Sequence, residues 1–163
     1  MDERDTQESQ VLNYTIQQTA LCELIGAAYA FLFAGRILSN LYHKLQASLS
    51  ANDLSLLSYT HGTTSGLKAY CSTVASRGIE TCRLACGGHG FSKFSGLPDL
   101  FVDYVPACTY EGENVVMYLQ CARYLLKKKA EAKANKPVAQ DLAYLTDGSV
   151  ATMAAALTTK KVG

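Results

Sequence analysis

Two short clusters contain the residue types that could carry chemistry. In the first, CGGHGF at positions 86–91, three glycines and a histidine fall within four residues. Glycines let a backbone turn sharply and approach a ligand closely, and the free N–H groups of such turns bind phosphate. A single glycine would serve as a helix C-cap. Gly87, Gly88 and Gly90 exceed that need, so we expect a ligand-approach loop, with a plain cap as the alternative.

The second cluster is TYEGEN at positions 109–114, where Glu111 precedes a glycine. A carboxylate at a helix start often only complements the helix dipole, and Thr109 or Asn114 would help to cap such a helix. From the residues alone this structural interpretation is favoured. A catalytic base would need a water-poor pocket, to which Tyr110 could contribute an apolar wall.

Composition limits the class of protein that could position these clusters. The chain has 163 residues, about one domain, with 48% apolar and 18% charged residues and a net charge of +1. This balance gives no general attraction to nucleic acid. The longest apolar run, Leu24–Gly35, is too short for a membrane span. The polar, acidic start of the chain argues against a secretory signal peptide.

The six cysteines are interpreted as buried, reduced thiols rather than as a disulfide framework. Cys82 and Cys86 are four residues apart on one helical face. Zinc would require a second closely spaced pair, which the sequence lacks, so no metal site is expected.

Helical periodicity dominates residues 11–86. The only prolines are Pro98, Pro106 and Pro137, and a long proline-free stretch favours helices. One helix of about thirty or more residues is predicted within 11–45. It should bury a single stripe, made of Leu21, Leu24, Ile25, Ala28, Phe31, Leu32, Gly35 and Leu38.

Two further helices are predicted after a turn at 48–53. The second runs from Leu54 to about Ala85, with Asp53 or Asn52 as its N-cap. Its glycines at 62, 66 and 78 suggest close contact with another backbone, with a local kink as the alternative. The third begins near residues 111–113 and ends in the lysine-rich stretch before Pro137. The segment 87–109 is expected to be irregular.

These elements predict an all-α fold, a partial bundle of long antiparallel helices. Three helices alone bury their faces poorly, so other helices should complete the bundle. A short apolar pattern resumes around Leu142–Leu145 and Val150–Leu157, like the start of a further helix.

Two longer segments carry a family resemblance. GIETCRLACGGHGFSKFSGLP and PACTYEGENVVMYLQCARYLLK resemble the peroxisomal acyl-CoA oxidases of the acyl-CoA dehydrogenase superfamily, as does TIQQTALCELIGAAYAFLFAGRIL. Residues 1–9 are a polar segment by composition. The resemblance implies a partial C-terminal helical-bundle domain at 10–130. Residues 131–163 would be a linker and the start of a second, truncated helical domain.

The resemblance also implies a function. Such enzymes use FAD to oxidise fatty acyl-CoA to trans-2-enoyl-CoA and pass the electrons to O₂, which gives H₂O₂. Glu111 matches the base that removes the α-proton, and Tyr110 would contact the substrate. Gly112, with Gly87, Gly88 and Gly90, would approach FAD, the loop glycines often across a homodimer interface.

Departures from the family pattern keep alternatives open. Glu113 and Asn114 follow the motif where dehydrogenases commonly have Gly-Thr, which favours an oxidase over an acyl-CoA dehydrogenase. Phe91 replaces the usual tyrosine, and Thr15 lies near the position of a usual glutamine. The chain ends Lys-Lys-Val-Gly, so peroxisomal localisation is implied by the family alone. A non-catalytic helical module for dimerisation or scaffolding is the rival interpretation.

Overall fold

The computed structural model describes residues 8–146, and this part of the chain contains helices and turns but no strand. The α-helices are α1 (Thr15–Ser50), α2 (Leu57–Ala85), α3 (Gly88–Phe91), α4 (Leu97–Tyr104) and α5 (Asn114–Lys133). Short 3-10 turns cover Val11–Asn13, Lys93–Ser95, Val105–Cys108 and Gln140–Leu145. The all-α fold and the three long helices are therefore confirmed.

The turn between α1 and α2 is built on Asp53, but not as the predicted N-cap. The Asp53 carboxylate accepts hydrogen bonds from the Ser55 backbone N–H and the Ser48 hydroxyl, both at 2.9 Å. These bonds lower the pKa of Asp53. The N-cap of α2 is Leu56, which makes no side-chain capping bond. Asp53 thus closes the turn that makes α1 and α2 antiparallel, rather than capping α2.

The packing core lies where α2 crosses α5, its main neighbour. A Cβ atom added at Gly62 would lie 2.5 Å from the ring of Tyr124, and one at Gly66 would lie 2.9 Å from Cys121 Sγ. The space beside Gly78 is similarly filled by the side chain of Leu24 in α1. The α2 glycines therefore admit side chains from neighbouring helices, not the backbones that the sequence suggested, and α2 continues through them.

The predicted stripe of α1 is only half covered. Leu21, Leu24 and Phe31 are half-buried against α2, whereas Ile25 is 57% exposed. Leu45 is the one buried residue of α1. The prediction that the entire stripe is buried is therefore wrong for residues 8–146, because α2 contacts only one edge of it.

The apolar content of α1 also bears on membranes. By length and composition the helix could cross one, since its best 18-residue window has a mean hydropathy of 1.6 and no buried residue. A helix from a protein core passes the same test, so the signal is weak. The run-length argument from the sequence overlooked this window, and the absence of a span stays a prediction.

The segment 87–109 is more ordered than the sequence suggested. Pro98 lies in the first turn of α4, where proline is favoured because its missing N–H would be unpaired there anyway. Asp99 adds a favourable negative charge to the same turn. The expectation of an irregular segment was wrong because it did not consider Pro98 as a helix start.

After α5 the chain returns to the bundle. The helix ends at Lys133, before Pro137, as expected. The following turn docks through the Tyr59 hydroxyl, which donates to Asp141 at 2.6 Å, and through buried Leu142. The pattern at Val150–Leu157 and the first seven residues of the polar segment 1–9 lie outside the described residues.

The six cysteines are free thiols, as the sequence predicted, but none is fully buried: Cys22 and Cys86 are exposed, and the other four are half-buried. Residues 8–146 contain no group of three or more His, Cys, Asp or Glu side chains placed to hold a metal ion.

Candidate functional site

The backbone of Glu111 has an unusual conformation. Its φ is +54°, and Gly112 follows with a φ of +106°. A non-glycine residue in the left-handed region costs on the order of 1–3 kcal/mol, so it persists only where its surroundings impose that conformation. Both the Glu111 and Tyr110 side chains are exposed, Tyr110 by 52%. The turn therefore presents the carboxylate at the surface of residues 8–146, and a water-poor pocket around it would need further protein surface.

Gly112 has a reason within this chain to be glycine. Its φ disfavours any L side chain, and an added Cβ atom would lie 2.7 Å from Met117 Cε. Conformation and packing therefore explain this glycine without a ligand.

Helix α2 holds the turn in place through a polar network. The Lys68 ammonium donates to the Gly112 carbonyl and, at 2.9 Å, to Asn114 Oδ1. The buried Asn114 amide donates to Ser72 Oγ and Thr73 Oγ1, both at 2.9 Å. The Gly112 carbonyl, one residue after Glu111, and the first residue of α5 are thus both bonded to α2.

The chain leading into the turn is packed on α2 as well. The Cys108 thiol donates to the Ser72 carbonyl at 3.6 Å, a weak bond. Burial raises the pKa of the Tyr104 hydroxyl at the end of α4, and nearby Cys108 and Cys71 add to the shift. The Glu111 turn is therefore anchored on both sides.

The helix start is capped by Glu113, not by Thr109 or Asn114. One Glu113 oxygen accepts the N–H groups of Val115 and Val116 at 2.9 and 3.2 Å. Thr109 donates back to the Pro106 carbonyl instead. Because Glu113 is engaged as a cap, Glu111 is the carboxylate of this turn that does not cap the helix.

The glycines of the 87–90 loop differ in their surroundings. Gly87 has a φ of +56° and lies just after the C-cap of α2, where helices commonly end in a left-handed glycine. Gly90 is buried, and an added Cβ atom would overlap the Arg83 carbonyl. No atom lies within 4 Å of a Cβ atom added at Gly87 or Gly88. Gly87 and Gly88 therefore leave space for a group from outside, whereas Gly90 shapes the loop.

The two clusters do not meet in one pocket. The Glu111 turn lies beside Lys68 and Ser72, whereas the glycine loop follows Ala85; at about 1.5 Å per residue these levels of α2 are roughly 20–25 Å apart. Near the loop, the Gln17 amide donates to the Ala85 carbonyl at 2.8 Å, and Cys86 and His89 line a cavity of about 530 Å³.

The amino-acid sequence matches a family model along most of its length. The model describes the acyl-CoA oxidase C-alpha1 domain and matches residues 1–126. The chain belongs to the acyl-CoA oxidase family. This confirms the resemblance on which the assignment of the two clusters depends.

Relatives and solved structures agree with the acyl-CoA oxidase assignment. Human peroxisomal acyl-coenzyme A oxidase 1 is 46% identical over 86% of this chain and 21% of its own. The Arabidopsis thaliana acyl-CoA oxidase 1 structure is 49% identical, with a TM-score of 0.78 over 81% of this chain and 20% of its own. A Caenorhabditis elegans acyl-CoA oxidase-1 structure, complexed with FAD and ATP, is 39% identical with a TM-score of 0.84. The match covers 90% of this chain and 23% of the Caenorhabditis elegans chain. The chain thus spans about a fifth of the length of these oxidases.

Sequence reasoning found the Glu111 turn of this oxidase domain but missed what holds it. Lys68 is the only lysine between Lys44 and Lys93. A lone lysine among the mostly small residues 60–76 of α2 was the available signal. Asn114 was considered only as a cap, whereas its side chain lies in the α2–α5 interface.

Proposed function

We propose that this chain forms the base-bearing helical part of a FAD-dependent acyl-CoA oxidase. The oxidase converts fatty acyl-CoA to trans-2-enoyl-CoA and passes the electrons to O₂, which yields H₂O₂. The observation that carries the proposal is the Glu111–Gly112 turn, fixed in a left-handed conformation on α2 with its carboxylate exposed. Such a strained, anchored residue fits a role beyond packing.

Glu111 acts as the base in this proposal. It takes the α-proton of the acyl thioester, a weakly acidic proton that only a desolvated, well-positioned carboxylate removes efficiently. Bound FAD supplies the acceptor for the β-hydrogen, which leaves as hydride. The exposed Tyr110 side chain contacts the substrate and helps to exclude water from Glu111.

The glycines divide between cofactor approach and backbone shape. Gly87 and Gly88, which have open space before them, approach the ADP part of FAD, across the interface of a homodimer. Gly90 shapes that loop, and Gly112 lets the backbone pass close to the flavin and substrate. The domain boundaries at 10–130 and 131–163 belong to the same proposal.

Peroxisomes are the proposed location. The support is that relatives 44–47% identical in animals and a plant are named peroxisomal acyl-coenzyme A oxidases.

A segment exchange tests the function. Residues 8–146 would replace the matching segment of the Arabidopsis relative, and the chimaera would be assayed for flavin absorbance, acyl-CoA-dependent bleaching and peroxide release. We expect Glu111→Gln to lower kcat by at least about 10²-fold, the usual contribution of a positioned base. Glu113→Gln is the matched control, because it changes a cap and not the base.

A non-catalytic helical module is the second candidate. The exposed Glu111 and the uncovered face of α1 favour it for the 163-residue chain alone. A flavin-loaded chimaera whose turnover is unaffected by Glu111→Gln would support this module and refute the base. Bleaching without O₂ consumption would instead indicate a dehydrogenase. The isolated chain would be examined for flavin absorbance in parallel.

A further inference from the structure

The left-handed conformation of the Glu111–Gly112 turn requires an external constraint. The turn itself offers little, because the Glu113 carboxylate bonds forward to Val115 and Val116 and not back to residues 110–112. Thr109 bonds to Pro106 in the preceding turn. The constraint on residues 111 and 112 therefore comes from another element.

Lys68 supplies that constraint. Its ammonium donates to the Gly112 carbonyl, the acceptor that follows Glu111 by one residue, and to Asn114 Oδ1 at 2.9 Å. Both acceptors are neutral, and a charged donor makes a stronger hydrogen bond than a neutral one. Lys68 is half-buried, and an ammonium in such a position is retained at a desolvation cost.

Asn114 makes the Lys68 contact rigid. The Asn114 side chain is 8% exposed and is bonded to three groups of α2, the Ala69 carbonyl and the Ser72 and Thr73 hydroxyls. The oxygen of the same amide accepts from Lys68. Lys68 therefore connects a fixed point of α5 to the Gly112 carbonyl of the turn, and moving the ammonium would move that carbonyl.

We propose that Lys68 is a positioning residue that orients the Glu111 carboxylate by holding the Gly112 carbonyl. The proposal rests on the function proposed above for Glu111. Lys68 acts through the backbone of the turn and does not itself exchange a proton with the substrate.

The test uses the 163-residue chain and reads the conformation of Glu111 directly. A residue with positive φ gives a strong intra-residue cross-peak between its Hα and amide proton in a NOESY spectrum. In Lys68→Met, which keeps the aliphatic stem, we expect this Glu111 cross-peak to weaken severalfold. Cleavage after Glu111 by a glutamate-specific protease should become about tenfold faster, as expected when a charged hydrogen bond no longer limits opening of the turn.

Two variants distinguish positioning from general stability. Lys44→Met makes the same substitution at an exposed site of α1 and should leave the Glu111 cross-peak and the cleavage rate unchanged. Lys68→Arg keeps a charged donor and should preserve most of the cross-peak. An unchanged cross-peak in folded Lys68→Met overturns the proposal. So does global unfolding of Lys68→Met with Lys44→Met intact, since Lys68 would then support the whole domain.

The outcome is separable from that of the proposed function. The cross-peak and the cleavage rate need neither flavin nor turnover, so they report on Lys68 alone. Failure of Glu111 as a base would appear only in the Glu111→Gln measurement on the chimaera.

Discussion

At the scale of single residues, the glycines of the two clusters are required for different physical reasons. Position 90 must be glycine because a Cβ atom there would overlap the Arg83 carbonyl, whereas Gly88 adjoins open space. Position 112 must be glycine because its φ is +106° and because Met117 occupies the space of a Cβ atom. The motif as written in the sequence does not separate these glycines, although only some of them are open to a ligand.

Alanine substitutions in the loop should separate packing from ligand approach. Gly90→Ala would push the loop off the end of α2, and we expect it to lower the free energy of unfolding by about 1–3 kcal/mol, as overpacking does. Gly88→Ala meets no atom within 4 Å and has an ordinary φ. It should change the stability by less than about 0.5 kcal/mol. Urea unfolding of both variants is the measurement, and equal midpoints would contradict this account.

At the scale of elements, the α2–α5 interface positions the candidate site. Small residues of α2, among them Gly62 and the fully buried Ala69, accept Tyr124 and Asn114 from α5. Burial raises the pKa of Tyr124 to about 12, and nearby Asp141 and Tyr59 add to the shift. The interface therefore favours the neutral tyrosine.

This interface should weaken at high pH. An unfolded tyrosine ionises near pH 10, whereas folded Tyr124 has a pKa of about 12. Between these values the unfolded chain binds fewer protons, so stability falls as the pH rises through this window. We expect Tyr124 to contribute on the order of 1–2 kcal/mol to the loss between about pH 9 and about pH 11.5.

Urea unfolding at both pH values measures this contribution. Tyr124→Phe should show a smaller loss of stability than the parent chain. Tyr118→Phe, at an exposed site of the same helix, should lose as much as the parent. A loss that is the same in all three chains would refute a role for burial of Tyr124.

At the scale of the whole molecule, the bundle is open along α1. Several large apolar side chains of α1 are exposed, Ile37 by 70%, and such a surface is usually covered by protein in a functional assembly. This agrees with a chain that spans about a fifth of the length of its relatives.

The open face should make the 163-residue chain self-associate. Ile37→Glu removes apolar area and adds a charge, so we expect the midpoint concentration for association to rise by roughly tenfold or more. Ser39→Glu adds the same charge at an exposed polar site of α1 and should have a smaller effect. Sedimentation velocity over a concentration series measures both. Equal association of both variants would show that the apolar face of α1 is not responsible.

The sequence by itself determined the three long helices, because the spacing of apolar residues and the positions of proline and glycine act locally along the chain. It also determined the family and the position of the Glu111 turn, since both motifs are continuous stretches of residues. The start of α4 at Pro98 was missed because proline both ends and begins helices, and its neighbours did not distinguish the two roles.

Only the tertiary structure decided which contacts these elements make. It left Ile25 of the α1 stripe exposed, because α2 meets one edge of that stripe and no other described helix covers the rest. It made Glu113 the cap and placed Asn114 in the interface. It joined Lys68 to Gly112, 44 residues apart. Such contacts depend on how two helices cross, and local periodicity carries no information about that crossing.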